Sequence, residues 1–138
     1  MTNNISPELF RVIDANLNRL KEGIRVIEDI MRYFYNDKKL SKKLKDLRHL
    51  AKFDDIKSLL KHRDSINDVL RPSSDSELKR SNLDEIIVAN FKRVQESSRV
   101  LEELFKLYDI KFSEKFKHIR YEIYDLEKEV IKTTSNSK

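Results

Sequence analysis

The chain has 138 residues, enough to bury a sizeable core as one domain, and carries a net charge of +5 with 38% charged residues. It has no cysteine, one glycine and two prolines, which excludes disulfides, thiolate metal sites and sheets punctuated by many tight turns. With Lys, Glu, Leu and Ile abundant, that composition predicts an all-α fold.

Met1 to Ile5 lacks a basic stretch followed by an apolar run, and no segment reaches the roughly 18 continuous apolar residues of a membrane span. A cytoplasmic protein is therefore expected, neither secreted nor membrane-spanning. Ser6-Pro7-Glu8 reads as a helix start, with Ser6 as cap, Pro7 in the first turn and Glu8 favoured by the dipole. Ile13, Leu17, Leu20, Ile24, Ile27 and Met31 then form an apolar stripe ending near Tyr35, a helix of about 40 Å. Asn36-Asp37 breaks it. A second helix is predicted from about Lys38 to His62, with Leu40, Leu44, Leu47, Leu50 and Ala51 on one side.

Residues 38–63 hold ten Lys/Arg against three Asp, a run that forms a solvated face or attracts an anion. Nucleic acid is the weaker reading of that charge, because the aromatics fall at helical spacing on apolar faces and leave no stacking platform. Residues 63–81 lack helical period and are rich in Ser, Asp and Asn, a long loop of the kind that often carries function. Ser81 and Asp84 resemble a capping box opening a third helix with Ile86, Ile87, Phe91, Val94, Leu101 and Phe105 apolar. Ser113 is expected to cap a fourth, through Phe116, Ile119, Ile123, Leu126 and Val130, leaving 133–138 as a frayed tail. The expected unit is one domain over 1–132, made of a hairpin at 7–62, a loop at 63–81 and a hairpin at 82–132. A bundle of about four long helices buries the four stripes together.

Helix 1 reads Ala15-Asn16-Leu17-Asn18-Arg19-Leu20-Lys21-Glu22-Gly23-Ile24-Arg25-Val26-Ile27-Glu28-Asp29, and residues 89–103 match it at seven of fifteen positions with an offset of 74. The shared pattern is A-N-x-x-R-x-x-E-x-x-R-V-x-E. Leu47-Arg48-His49 against Ile119-Arg120-Tyr121 continues the echo, so a whole hairpin looks duplicated and pseudo-twofold symmetry follows if the halves pack face to face. At 100° per residue, Val12, Asn16, Arg19, Gly23, Val26 and Ile30 share a seam, matched by Ile86, Asn90, Arg93, Ser97, Val100 and Leu104. Both seams are polar in the middle. One local reading makes Arg19–Glu22 and Arg93–Glu96 ordinary i, i+3 ion pairs. The other puts an anionic ligand on the arginines with carboxylates beside it to hold Mg²⁺.

No Gly-rich phosphate loop and no H-E-x-x-H helix occurs, and His49, His62 and His118 are scattered, so any nucleotide site must be non-standard.

Asp14-Ala15-Asn16-Leu17-Asn18-Arg19 with Glu22-Gly23 and Arg25-Val26, Arg63-Asp64 with Asp68-Val69, Glu77 with Arg80-Ser81, and the second copy through Glu103 resemble one family over about Phe10 to Lys128. It is the monofunctional hydroxymethylpyrimidine phosphate kinase family of thiamine biosynthesis, a helical domain often fused ahead of thiamine phosphate synthase. The resemblance implies transfer of a phosphoryl group from ATP, with Mg²⁺, to 4-amino-5-hydroxymethyl-2-methylpyrimidine phosphate. It implies Arg19, Arg93 and Asp68 as catalytic groups and Glu22 and Glu96 as Mg²⁺ ligands. Asn16, Asn90, Arg25, Arg99, Arg48, Arg120, Arg63 and Asp64 would bind substrate or phosphate. Leu70 stands where the family usually has Gly. A separate thiamine phosphate synthase is a possible partner, and a homodimer is possible. The alternatives are a non-catalytic partner domain of that synthase and a basic nucleic-acid-binding protein.

Overall fold

Ser6 Oγ accepts the Leu9 amide at 3.2 Å and Pro7 takes the first helical turn, so α1 (Pro7–Asp29) begins where its residues predict. The computed structural model describes residues 6–74 and 78–136. The last turn of the first helix widens into a π-helical segment, Ile30–Phe34, in which Tyr35 N donates to Ile30 O at 3.1 Å. Asn36 then reverses the chain with a φ of 55°, a left-handed conformation that Asn tolerates better than most residues. Asp37 caps α2 (Lys38–Leu50) by accepting the Leu40 amide at 2.9 Å.

The expected second helix to His62 is broken at Ala51 and resumes as α3 (Ile56–His62). Phe53 explains the break. Continued at 100° per residue, the helix would put Phe53 roughly opposite the Leu40, Leu44 and Leu47 stripe, in solvent. Instead the chain turns and buries Phe53 at 3% exposure against Phe105, Tyr108 and Phe112, with ring centroids 5.2 to 5.4 Å apart. Asp55 restarts the helix by accepting the Ser58 amide at 3.1 Å. Hydrogen bonds from the Ser58 side chain and then its amide hold the Asp55 carboxyl below the usual carboxylate range.

The cap of α4 (Leu83–Leu104) lies one residue later than predicted. Asn82 Oδ1 accepts Glu85 N at 2.9 Å while the Glu85 carboxylate accepts Ser81 N at 2.7 Å, a reciprocal box shifted along the chain. A 3₁₀ turn at Phe105–Leu107 leads to α5 (Ile110–Asn136), which starts before Ser113. Ser113 is instead buried, its Oγ donating to Glu102 O at 2.7 Å. The expected fraying from Thr133 is not seen among the described residues: the helix runs to Asn136 and Thr134 is buried.

The architecture is all-α. Among the described residues five helices pack together; α1 meets α4 along the broadest contact, α2 packs on α1, α5 on α4, and α2 reaches α5 to close the ring. Short α3 covers part of α1, where His62 stacks on Phe10 at 5.7 Å. The core runs through both repeats, with Ile13, Leu20, Ile24 and Ile27 from α1 and Ile87, Phe91, Val94 and Leu101 from α4 fully buried. Each such side chain contributes about 1.5–3 kcal/mol by leaving water.

Gly23 fixes how the two motif helices cross. A Cβ there would lie 2.6 Å from Val94 Cγ2 and 3.3 Å from Asn90 O, so the backbones approach as closely as only glycine allows. Asn16 and Ser97, the counterpart of Gly23, line one cavity at this crossing. The shift of 74 that carries Asn16 to Asn90 also carries Gly23 to Ser97, so the two juxtapositions are related as a pseudo-twofold axis requires. The two helices are antiparallel, with Arg19 and Arg93 at the crossing.

Candidate active site at the crossing of the two motif helices

Two cavities adjoin at this crossing and share Asn16, Arg19, Asp68 and Val69 in their common wall. The crossing pocket, about 520 Å³, adds Arg93, Glu96 and Ser97 from α4 and Leu70 and Arg80 from the connecting segment. The loop pocket, about 790 Å³, adds Asp14, Asn18, Arg63, Asp64 and Asn67. Residues from both copies converge, as the duplicated polar seam predicts, and the segment between them joins the wall.

Arg19 and Arg93 are exposed, and among the described residues neither forms an ion pair. The local reading that pairs them with Glu22 and Glu96 is therefore not realised. Two unpaired guanidiniums at one crossing repel each other, and an anion between them removes that cost.

The motif's last glutamate does other work. Glu28, 1% exposed, accepts Arg48 Nε at 2.7 Å and Nη2 at 3.2 Å, tying α2 to α1. Glu102 accepts Arg120 Nε at 3.1 Å and Nη2 at 2.9 Å, tying α5 to α4 in the same way. The Glu28 bond raises the Arg48 pKa. Burial opposes the Arg120 charge, but hydrogen bonds to Glu102 and Tyr124 outweigh it and raise that pKa too. Arg48 and Arg120, expected at phosphate, line neither cavity; each is the partner of a buried carboxylate.

Arg25 and Arg99 are also diverted, Arg25 to Asp29 at 3.4 Å and Arg99 to Glu103 at 3.0 Å, on exposed surface. Six residues beyond Arg19, Arg25 lies about two-thirds of a turn further round the helix and faces away from the crossing. Asn16 and Asn90 keep matched roles, donating Nδ2 to Val12 O at 2.9 Å and Ile86 O at 2.8 Å. Only Asn16 lines the cavities; Asn90 packs against Gly23.

A smaller cavity, about 500 Å³, lies at the equivalent place in the second copy, where Asn82, Glu85, Val88 and Ala89 stand for Glu8, Arg11, Asp14 and Ala15 of the loop pocket. Arg63 donates Nε and Nη2 to Asp14 at 2.6 Å each, pinning the start of the connecting segment to α1. That bond raises the Arg63 pKa against the cost of burial. Asp64 accepts Asn67 Nδ2 at 2.7 Å and Asn67 N at 3.2 Å, which hold its carboxyl below the usual range, helped by Arg11. Asp14 and Asn18, a hydrogen-bonded pair at 3.2 Å, correspond to Val88 and Lys92. A search for what the copies share passes over such residues; the signal was their divergence.

Of the predicted metal ligands, Glu96 lines the crossing pocket and Glu22 lines neither cavity, since the connecting segment closes one side of the crossing only. Among the described residues no group of three His, Asp or Glu gathers as a ready metal cage. Glu96 and Asp68 beside the arginines nevertheless fit Mg²⁺, which takes one or two carboxylates and completes its shell with phosphate oxygens and water. Leu70 fits where it stands: Asn36 is the one non-glycine residue with positive φ among those described, so position 70 needs no glycine, and Leu70 N donates to Asp68 Oδ1 at 3.0 Å. Glu77 lies outside the described residues.

No helix among the described residues is long and apolar enough to cross a membrane. The chain is 38% identical over 127 residues to a thiamine-phosphate synthase of Nostoc sp., covering 89% of this chain and 35% of that protein. It is 42% identical over 120 residues to one of Thermosynechococcus vestitus, covering 86% and 34%. A Prochlorococcus marinus thiamine-phosphate synthase is 36% identical over 136 residues, covering 98% and 39%. The chain thus spans little more than a third of these relatives. No solved structure matches it. The ThiD2 family model matches residues 11–129, and the chain belongs to that family.

Proposed function

We propose that this chain works in thiamine biosynthesis, transferring the γ-phosphoryl group of ATP to 4-amino-5-hydroxymethyl-2-methylpyrimidine phosphate. The carrying observation is the pair Arg19 and Arg93, unpaired cations from the two repeats facing one crossing. In this reaction a phosphate oxygen of the acceptor attacks the γ-phosphorus, its bond to the β-phosphate oxygen breaks, and ADP leaves. The attacking oxygen is already ionised at neutral pH, so no general base is needed, consistent with a site lined by no histidine. The barrier lies in bringing two polyanions together. Arg19, in the wall common to both pockets, spans donor and acceptor phosphates, while Arg93 neutralises the charge on the transferred group. Glu96 and Asp68 would hold Mg²⁺, which would supply further neutralisation of phosphate charge. Asn16, its amide fixed by Val12 O, orients the acceptor.

The test is ³¹P NMR of the purified protein with Mg-ATP and the pyrimidine phosphate, beside the unphosphorylated pyrimidine. ADP and pyrimidine diphosphate from the phosphate alone are expected. That the relatives are named for thiamine-phosphate synthesis favours a second reading, a non-catalytic partner of a synthase. No product from folded protein, together with binding to a thiamine phosphate synthase, would select it.

A further inference from the structure

The loop pocket is the larger of the two cavities, yet apart from Arg19, which it shares with the crossing pocket, its cations are already engaged: Arg63 by Asp14, and Arg11 by a 3.4 Å bond to Asp64 O. Its remaining uncommitted groups are of another kind. Asn16, Asn18 and Asn67 line it, and each donates its amide nitrogen to an acceptor that cannot donate back: Val12 O at 2.9 Å, Asp14 Oδ1 at 3.2 Å and Asp64 Oδ2 at 2.7 Å. Those partners fix the amide planes, because a carbonyl or carboxylate must face the NH₂ end. All three Oδ1 atoms are left as acceptors with no donor among the described residues. Asn16 is buried, Asn18 half-buried and Asn67 exposed, so the three carbonyls form a cavity wall open to N–H donors from a ligand.

We infer that the loop pocket recognises the exocyclic amino group of an N-heteroaromatic ring through Asn16, Asn18 and Asn67, with the ring's phosphate directed to Arg19. This rests on the phosphotransferase reading and deepens it. The two substrates of that reaction share the chemistry, since adenine and the pyrimidine both present an amino group beside a ring nitrogen. An oxo group at that position would set oxygen against oxygen and be rejected, whereas a purely cationic pocket would accept amino and oxo rings alike. The second copy offers no such wall, since Asn18 is replaced there by Lys92.

Calorimetric binding of ATP against ITP, and of the aminopyrimidine phosphate against its 4-oxo analogue, tests this apart from turnover. The expected result is at least about tenfold weaker binding of the oxo member of one pair. Within that pair the preference should fall to about threefold or less in Asn67→Ala, an exposed position whose loss leaves the core intact, and in Asn18→Ala. The pair that loses its preference identifies the ring in the pocket. Equal binding within both pairs, or a preference unchanged in both folded variants, overturns the inference even where turnover is found. Discrimination without turnover upholds it and removes the kinase reading instead.

Discussion

Two kinds of arginine occur in each duplicated hairpin, and substitution should separate them. Arg19→Ala or Arg93→Ala removes an exposed, unpaired cation, so turnover should fall about 10²–10³-fold, as when one transition-state donor is lost, while the melting temperature barely moves. Arg48→Ala leaves Glu28 buried without its cation and should cost about 3 kcal/mol in urea unfolding. If Arg19→Ala also melted the bundle, the crossing would be a structural joint rather than a site. Acid should act on the connecting segment through Asp64. Its depressed folded pKa means that the stabilisation from Asn67 is complete above the unfolded value near pH 4 and is lost as pH falls through the lower folded value. An NMR titration should place the Asp64 midpoint below the ordinary aspartate value in the native protein and nearer to it in Asn67→Ala.

Helices were legible in the sequence to the extent that one face was buried. The stripes of α1, α4 and α5 have a single period and were read nearly to their ends. The break at Ala51 was not, because no glycine or proline marks it; a long-range demand, the burial of Phe53 beside Phe105, overrides local preference for helix. The displaced cap of α4 shows the same limit, since Ser81, Asn82, Asp84 and Glu85 all suit an N-terminus and only geometry chooses among them. At the site, the repeat pointed to Arg19, Arg93, Glu96 and Asn16, all of which line the cavities. The family resemblance also pointed to Arg48 and Arg120, because the last glutamate of the motif gave no sign that it would claim them. Gly23→Ala tests the packing of the motif helices. The added methyl meets Val94 Cγ2, a stiff β-branched group, so a stability loss of about 1–3 kcal/mol is expected despite the better helix propensity of Ala.

Across the whole molecule the α1–α4 contact joins the two hairpins, while Arg48–Glu28 and Arg120–Glu102 each hold one hairpin together. The symmetry is carried by the frame and broken at the mouth: α1 carries Asp14 and Asn18 where α4 carries Val88 and Lys92, and residues 63–68 are clamped to α1 through Arg63. An assembly of two identical hairpins would present two equal mouths, and a ligand entering one would find the same welcome in the other. Placing both hairpins on one strand of peptide gives each position two separate codons. One copy is then free to change while the other keeps its residue, so a near-symmetric frame can present two unlike mouths.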